Sequence, residues 1–293
     1  MPAGLGLHVA LLAVQLAFAS GAIAGRAALN AEGVEPTALA FLRAAAGALA
    51  FFVADRTFFR DDPRPAEPLP RAPMIGFALL GVVVNQAFFL HGLQRGTATS
   101  AALLTATIPV FTAALGVFAG LERPRPSTYV GIAVASAGVI GLTGVRHIAV
   151  GNLLVTINSL SYAAYLVGVG RHVRRHGALR VIGAVFAWGA LILAVPGGVQ
   201  LWRHGSAWTA RGWWLVGWMV LVPTIFAYLA NAWALGKARP SVVAAYVYLQ
   251  PLLVMAAAGA LLGERLDVRT VLAGLAILLG LGIIVVRRAP APA

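Results

Sequence analysis

Ten apolar stretches, each close to the ~20 residues a helix needs to cross about 30 Å of hydrocarbon, dominate this chain. They fall near residues 6–25, 36–54, 74–94, 98–121, 127–145, 149–170, 179–199, 212–235, 241–262 and 269–287, divided by Pro, Gly or charged clusters. The runs are continuous rather than alternating, and an open sheet edge finds no partner in lipid, so each reads as a helix. Residues that are 60% hydrophobic and 11% charged cannot cover a soluble globule of 293 residues. The expectation is therefore an all-α polytopic membrane protein with ten transmembrane helices. "LAFAS" at Leu16 to Ser20 looks like a cleavage site, but Met1 to Leu7 holds no Lys or Arg, so the first stretch is expected to remain as a span.

Charge supplies the topology. The formal net charge of +13 would suggest nucleic acid in a soluble domain, but the basic residues, all arginine except Lys237, sit mostly in short breaks between apolar runs. That distribution orients helices, and no nucleic-acid partner is expected. One alternating set of connections holds fourteen basic residues, among them Arg56, Arg60, Arg171, Arg174, Arg175 and Arg180; the other holds seven. The positive-inside bias then places both termini in the cytoplasm. Trp202, Trp208, Trp213, Trp214 and Trp218 crowd one outer connection, as a lipid-boundary belt would. Cysteine is absent, which excludes disulfides and thiolate sites; no metal or other cofactor is expected.

A repeat divides the chain. At an offset of 142, Leu93 matches Leu235, Arg95 Lys237, Ala102 Ala244, Pro109 Pro251, Glu122 Glu264, Arg123 Arg265 and Gly138 Gly280, without a gap. Each half has five apolar stretches, and an odd number makes the second enter the membrane in the opposite sense, giving two inverted five-helix repeats, 1–146 and 147–293. The stretch "NQAFFLHGLQRGTATSAALLTATIPVFTAALGVFAGLER" from Asn85 and its partner "ANAWALGKARPSVVAAYVYLQPLLVMAAAGALLGER" from Ala230 resemble the paired EamA domains of the drug/metabolite transporter superfamily. "FLRAAAGAL" around Arg43 and the glycine-spaced last helix of each half extend the likeness over nearly the whole chain. The resemblance implies an exporter of amino acids, related metabolites or drugs in the plasma (bacterial inner) membrane.

Polar side chains at mid-depth mark where a solute could sit, because a buried amide or hydroxyl in lipid must find a partner. Gln15, Asn85, Gln86, Thr105 and Thr107 lie there in the first half, and Asn158, Ser159, Tyr162, Thr224, Tyr228, Tyr248 and Gln250 in the second. Candidate substrate-binding residues are Gln15, Asn85, Gln86, Thr107, Asn158, Tyr162, Tyr228, Tyr248 and Gln250; each could equally glue two helices. Spans 1, 3, 4, 6, 8 and 9 carry them, so these surround a central cavity while spans 5 and 10 pack outside, as the resemblance also implies. The tyrosines suit a neutral or zwitterionic, partly apolar solute.

Four residues are candidates for gating or coupling. Arg43 lies well inside span 2, where it snorkels outward, caps carbonyls, pairs with an acidic group or draws a substrate carboxylate; His91 either titrates or makes a helix contact. Pro109 and Pro251 kink their helices as hinges or as static bends. Glu122 and Glu264 follow by thirteen residues, ~20 Å along a helix, and are expected to clamp span 4 to 5 and span 9 to 10. Gly-x-x-x-Gly pairs such as Gly116/Gly120 serve packing within the chain and also permit a homodimer. An enzyme is not expected: HExxH, GxSxG and paired intramembrane carboxylates are all missing. A drug carrier or a nucleotide-sugar or sugar-phosphate carrier is the alternative, though phosphate would want more buried cations than Arg43.

Overall fold

The apolar runs fold as helices, and no strand occurs among the described residues of the computed structural model, which are 3–57, 67–120, 126–143, 149–235, 246 and 249–286. In chain order they are α1 (Ala3–Asn30), α2 (Pro36–Thr57), α3 (Arg71–Arg95), α4 (Ala98–Phe118), α5 (Pro126–Thr143), α6 (Val150–His176), α7 (Ala178–His204), α8 (210–235), α9 (Leu249–Leu262) and α10 (Val268–Val286). Eight of them, α1 to α8, are long and apolar enough to cross a membrane; α9 and the stretch Val268–Ile283 of α10 are shorter apolar helices. Leu49, Val195 and Leu279 stand 66%, 73% and 63% exposed. Aliphatic side chains in that number on the outside fit hydrocarbon as the surrounding solvent.

Helix pairing crosses between the halves. The most extensive contacts join α2 to α7 and α5 to α10; α4 meets α9, while α3 lies on α6 and α1 on α8. Each of these pairings maps onto itself or onto another when residues are shifted by the 142-residue offset. Besides each other, α5 touches α4 and the adjoining α6, and α10 touches α4, in keeping with the peripheral place expected of them.

Two glycines set the approach of α5 to α10. A Cβ on Gly138 would stand 2.6 Å from the Ala273 carbonyl oxygen, and one on Gly280 would stand 2.5 Å from both the Ala135 nitrogen and the Gly131 oxygen. The two positions are repeat equivalents, so α5 and α10 meet backbone to backbone from both sides. Without a hydrophobic drive between helices in lipid, such close packing is what holds the pair.

Glu264 closes a helix end, but a different one from that expected. Gly263 ends α9 in a left-handed conformation (φ 65°), and the Glu264 N–H donates back to the Ala258 carbonyl at 3.2 Å. The carboxylate is thereby aimed at the start of α4. Its Oε1 accepts from the Ala98 N–H at 2.7 Å and its Oε2 from the Thr99 N–H at 3.1 Å, while the Thr97 hydroxyl accepts from the Ser100 N–H at 3.0 Å. Three orphan donors and the positive helix end are satisfied together. So Glu264 joins α9 to α4, across the halves, rather than to α10. The start of α10 has its own acceptor, Asp267, whose Oδ1 takes the Thr270 N–H at 2.7 Å. Donation from the Thr270 hydroxyl and amide holds the Asp267 carboxyl below its ordinary range. Glu122 lies outside the described residues.

The aromatic belt is also only partly a belt. Trp202 and Trp214 are exposed, but Trp208 is buried, its Nε1–H donating to Glu35 at 2.9 Å, and Trp218 donates to the Ser20 hydroxyl at 3.1 Å. Glu32 pairs with Arg211 and accepts from Thr209, so the turn after α1 is tied to the start of α8.

Gly280→Ala is expected to lower the stability of detergent-purified protein by roughly 1–3 kcal/mol, read as a drop in Tm. Gly282→Ala, where a Cβ meets nothing within 4 Å, should leave Tm unchanged; equal effects of the two would refute the close-approach account. Glu264→Ala, stripped of two charge-assisted acceptors, should be destabilised by roughly 1–3 kcal/mol, with Glu264→Gln intermediate. Wild-type Tm in both variants would show that the cap contributes nothing.

Candidate substrate site

The site grows from a local irregularity repeated in both halves. In α3, Leu79–Val84 winds as a π-helix, and in α8 Leu221–Phe226 does the same, 142 residues on at both ends. In α8 the cause is visible: Pro223 has no N–H to give, and the Thr224 hydroxyl donates to the Met219 carbonyl at 2.8 Å. In α3 the wider turn leaves carbonyls for a neighbour. Ser161 of α6 donates to the Leu80 carbonyl at 2.8 Å, and the Asn158 Nδ2 to the Asn85 carbonyl at 2.8 Å. Single π-turns of this kind recur at functional sites.

Three amides here have an oxygen left over. Gln15, Gln86 and Asn158 are 1%, 5% and 3% exposed, and the side-chain oxygen of each is buried without a hydrogen-bond partner. An acceptor left dry in that way costs about 1–3 kcal/mol. Gln86 follows the π segment of α3, and its repeat equivalent, Tyr228, follows that of α8. Sequence reading placed these residues at one depth, and the folded chain puts Asn158 directly on the α3 backbone beside Gln86.

Arg43 reaches the same region from α2. Its Nε–H donates to the Thr224 hydroxyl at 2.9 Å, and no carboxylate pairs with it among the described residues. Among the described residues it holds the hydroxyl oxygen of the π segment, and it lies within electrostatic reach of Tyr228. Tyr228 in turn faces Tyr162 and Tyr165, and its ring packs on Phe51, Phe186 and Phe18 with centroids 5.8, 5.5 and 6.1 Å apart. The Tyr162 and Tyr165 rings are 5.4 Å apart. A cation, three phenols and unpaired amide oxygens thus line one apolar interior, a combination that can hold a small solute carrying both charge and a flat face.

The remaining candidates sit less centrally or serve packing. Thr107 is buried but donates to Leu104 of its own helix at 2.5 Å. At that point α4 breaks, between Thr105 and Ile108, because Pro109 in the following turn has no N–H. Ser159 donates to the same Leu104 carbonyl at 3.0 Å, so the bend is filled by protein rather than open to a solute. Pro251 is buried and Gln250 half-buried in the first turn of α9; Tyr248 lies outside the described residues. His91 bridges outward, with Thr37 on Nε2 at 3.2 Å and Arg95 on Nδ1 at 3.2 Å. Arg95 can only donate, so Nδ1 is the acceptor and the ring is neutral in this arrangement. Thr224, at mid-depth in the sequence but not among the substrate-binding candidates, belongs to this group, and Ser161 is the residue that the sequence reading did not name; its hydroxyl serves the Leu80 carbonyl.

Comparison with known proteins agrees with this architecture. Residues 5–144 and 149–286 each match the EamA-like transporter family. Protein WALLS ARE THIN 1 of Arabidopsis thaliana is 26% identical over 96% of this chain and 82% of its own length. The Escherichia coli inner membrane transporter YedA, described as uncharacterized, is 27% identical over 69% of this chain and 66% of its own length. A solved crystal structure superposes with a TM-score of 0.63 over 97% of this chain and 99% of its own, at 17% identity, which speaks to the fold alone. Two matched halves, apolar helices throughout and relatives named as transporters leave one assignment: this chain is a membrane protein of the EamA-like transporter family, in the drug/metabolite transporter superfamily.

Proposed function

We propose that the protein exports small organic metabolites, amino acids or related compounds, from the cytoplasm across the plasma (bacterial inner) membrane. Its ten helices form two inverted five-helix repeats, with both termini cytoplasmic, which rock about the interior site in alternating access. The observation that carries this reading is the set of buried, unpartnered amide oxygens at Gln15, Gln86 and Asn158 beside the Arg43–Thr224 pair. Helices held together only for packing would have no use for acceptors left empty; a transient guest or the water it displaces satisfies them. The Glu264 cap and the α2–α7 and α5–α10 pairs join halves that move against each other, so Pro109 and Pro251 are the places where bending would be absorbed. A single half-buried cation at this site among the described residues favours a carboxylate over a phosphate, for which a pair or cluster of cations is usual.

Efflux from loaded proteoliposomes, across amino acids, nucleosides and cationic drugs, tests the reading; no flux of any solute would sink it. Gln86→Ala and Tyr162→Ala should each raise KM for the preferred solute about tenfold, the worth of one lost contact of ~1.4 kcal/mol, with folded protein retained. Wild-type flux in both would reassign them to packing. Arg43→Gln should weaken transport of carboxylate-bearing solutes about tenfold or more while nucleoside flux changes little, since a charge-assisted bond is lost only for the former.

A further inference from the structure

A cavity of about 270 Å³ lies at the end of α2 and the start of α7, where Phe51 separates it from Tyr228 of the candidate site. Its walls are Ala48, Phe51, Phe52, Gly183, Ala184 and Ala187, and its mouth carries Asp55, Arg56 and Arg180. The small residues of α7 make the hollow, because a Cβ added even at Gly183 would only reach ordinary contact with Phe51 at 3.6 Å. Phe52 is exposed beside it, and the Arg56 guanidinium stacks over the Phe52 ring at 4.7 Å. An apolar slot thus runs along the membrane-facing helices and ends in cations at the level of the helix termini.

Arg180 is the informative residue. Its Nη1 is buried and has no hydrogen-bond partner, although the residue as a whole is half-buried. A buried guanidinium nitrogen demands an acceptor. Among the described residues the mouth carries two guanidinium groups against one carboxylate, and Arg171 and Arg174 add positive charge at the same end of the neighbouring α6, where Arg175 is paired with Glu67. We propose that this slot binds one anionic phospholipid from the leaflet that meets the arginine-rich helix ends. Its phosphate accepts from Arg180 and Arg56, and an acyl chain lies along Phe52, Ala184 and Ala187. Basic pockets between membrane helices hold acidic headgroups in this way, and the apolar walls separate a lipid from a free anion, which would have no use for them.

Native mass spectrometry of the full-length protein, delipidated and then offered dioleoyl phosphatidylglycerol and dioleoyl phosphatidylcholine in equal amounts, tests the assignment. Wild type should retain one phosphatidylglycerol with a preference of about tenfold, as expected for a charge-assisted contact. Arg180→Gln should bring that preference close to one, and Ala184→Leu, which fills the slot, should lose both lipids. Arg174→Gln, exposed and outside the slot, should bind like wild type. Should Arg180→Gln not fold, Arg56→Gln on the exposed side gives the same reading with a smaller loss. Equal retention of the two lipids by wild type, undiminished preference in both arginine variants, or full displacement by inorganic phosphate would each overturn the proposal.

Discussion

Inside a bilayer no water is available to a backbone carbonyl that has lost its helical partner, and the interior of this protein is organised around that demand. The two π segments widen α3 and α8 at matched positions and loosen carbonyls where no solvent can reach them. Ser161, Asn158 and Thr224 take up Leu80, Asn85 and Met219 in answer. Those side chains, needed first for the backbone, then fix what lies beside them: Asn158 presents its remaining oxygen next to Gln86, and Thr224 presents its hydroxyl to Arg43. The candidate site is the polar residue of a backbone problem solved twice.

The same demand at helix ends ties the two halves together. Glu264 leaves α9 through a left-handed glycine and serves the first amides of α4, while α5 and α10 replace side chains with backbone contact at Gly138 and Gly280. Contacts of this sort are short and directional, and they join elements distant in sequence. They stabilise one mutual arrangement of the halves, and breaking and remaking them is what any rocking motion would involve.

Several of these features were legible beforehand because they depend on position along the chain alone. The 142-residue offset linked Gly138 to Gly280 and Pro109 to Pro251, and mid-depth placement picked out Gln15, Gln86 and Asn158. Other features were not. The partner of Glu264 was misread because spacing gives distance along one helix and says nothing of which foreign helix starts beside its end. Leu79–Val84, written LLGVVV, offers no polar signal for a π turn, whereas its counterpart carries Pro223. Trp208 looked interfacial by composition, but Glu35, far off in sequence, claims its N–H.

The sequence by itself determined where the apolar helices lie, that they repeat, and at what depth their polar side chains travel, because insertion into lipid depends on local hydrophobicity and length. Only the tertiary structure decided that Arg43 meets Thr224, that α9 caps α4, that the bend before Pro109 is filled by Ser159, and that Arg180 borders an apolar slot. Lipid tails are as apolar as leucine, so hydrophobicity places helices in the membrane but cannot choose their neighbours. That choice falls to close packing and to the hydrogen bonds that buried polar atoms must make.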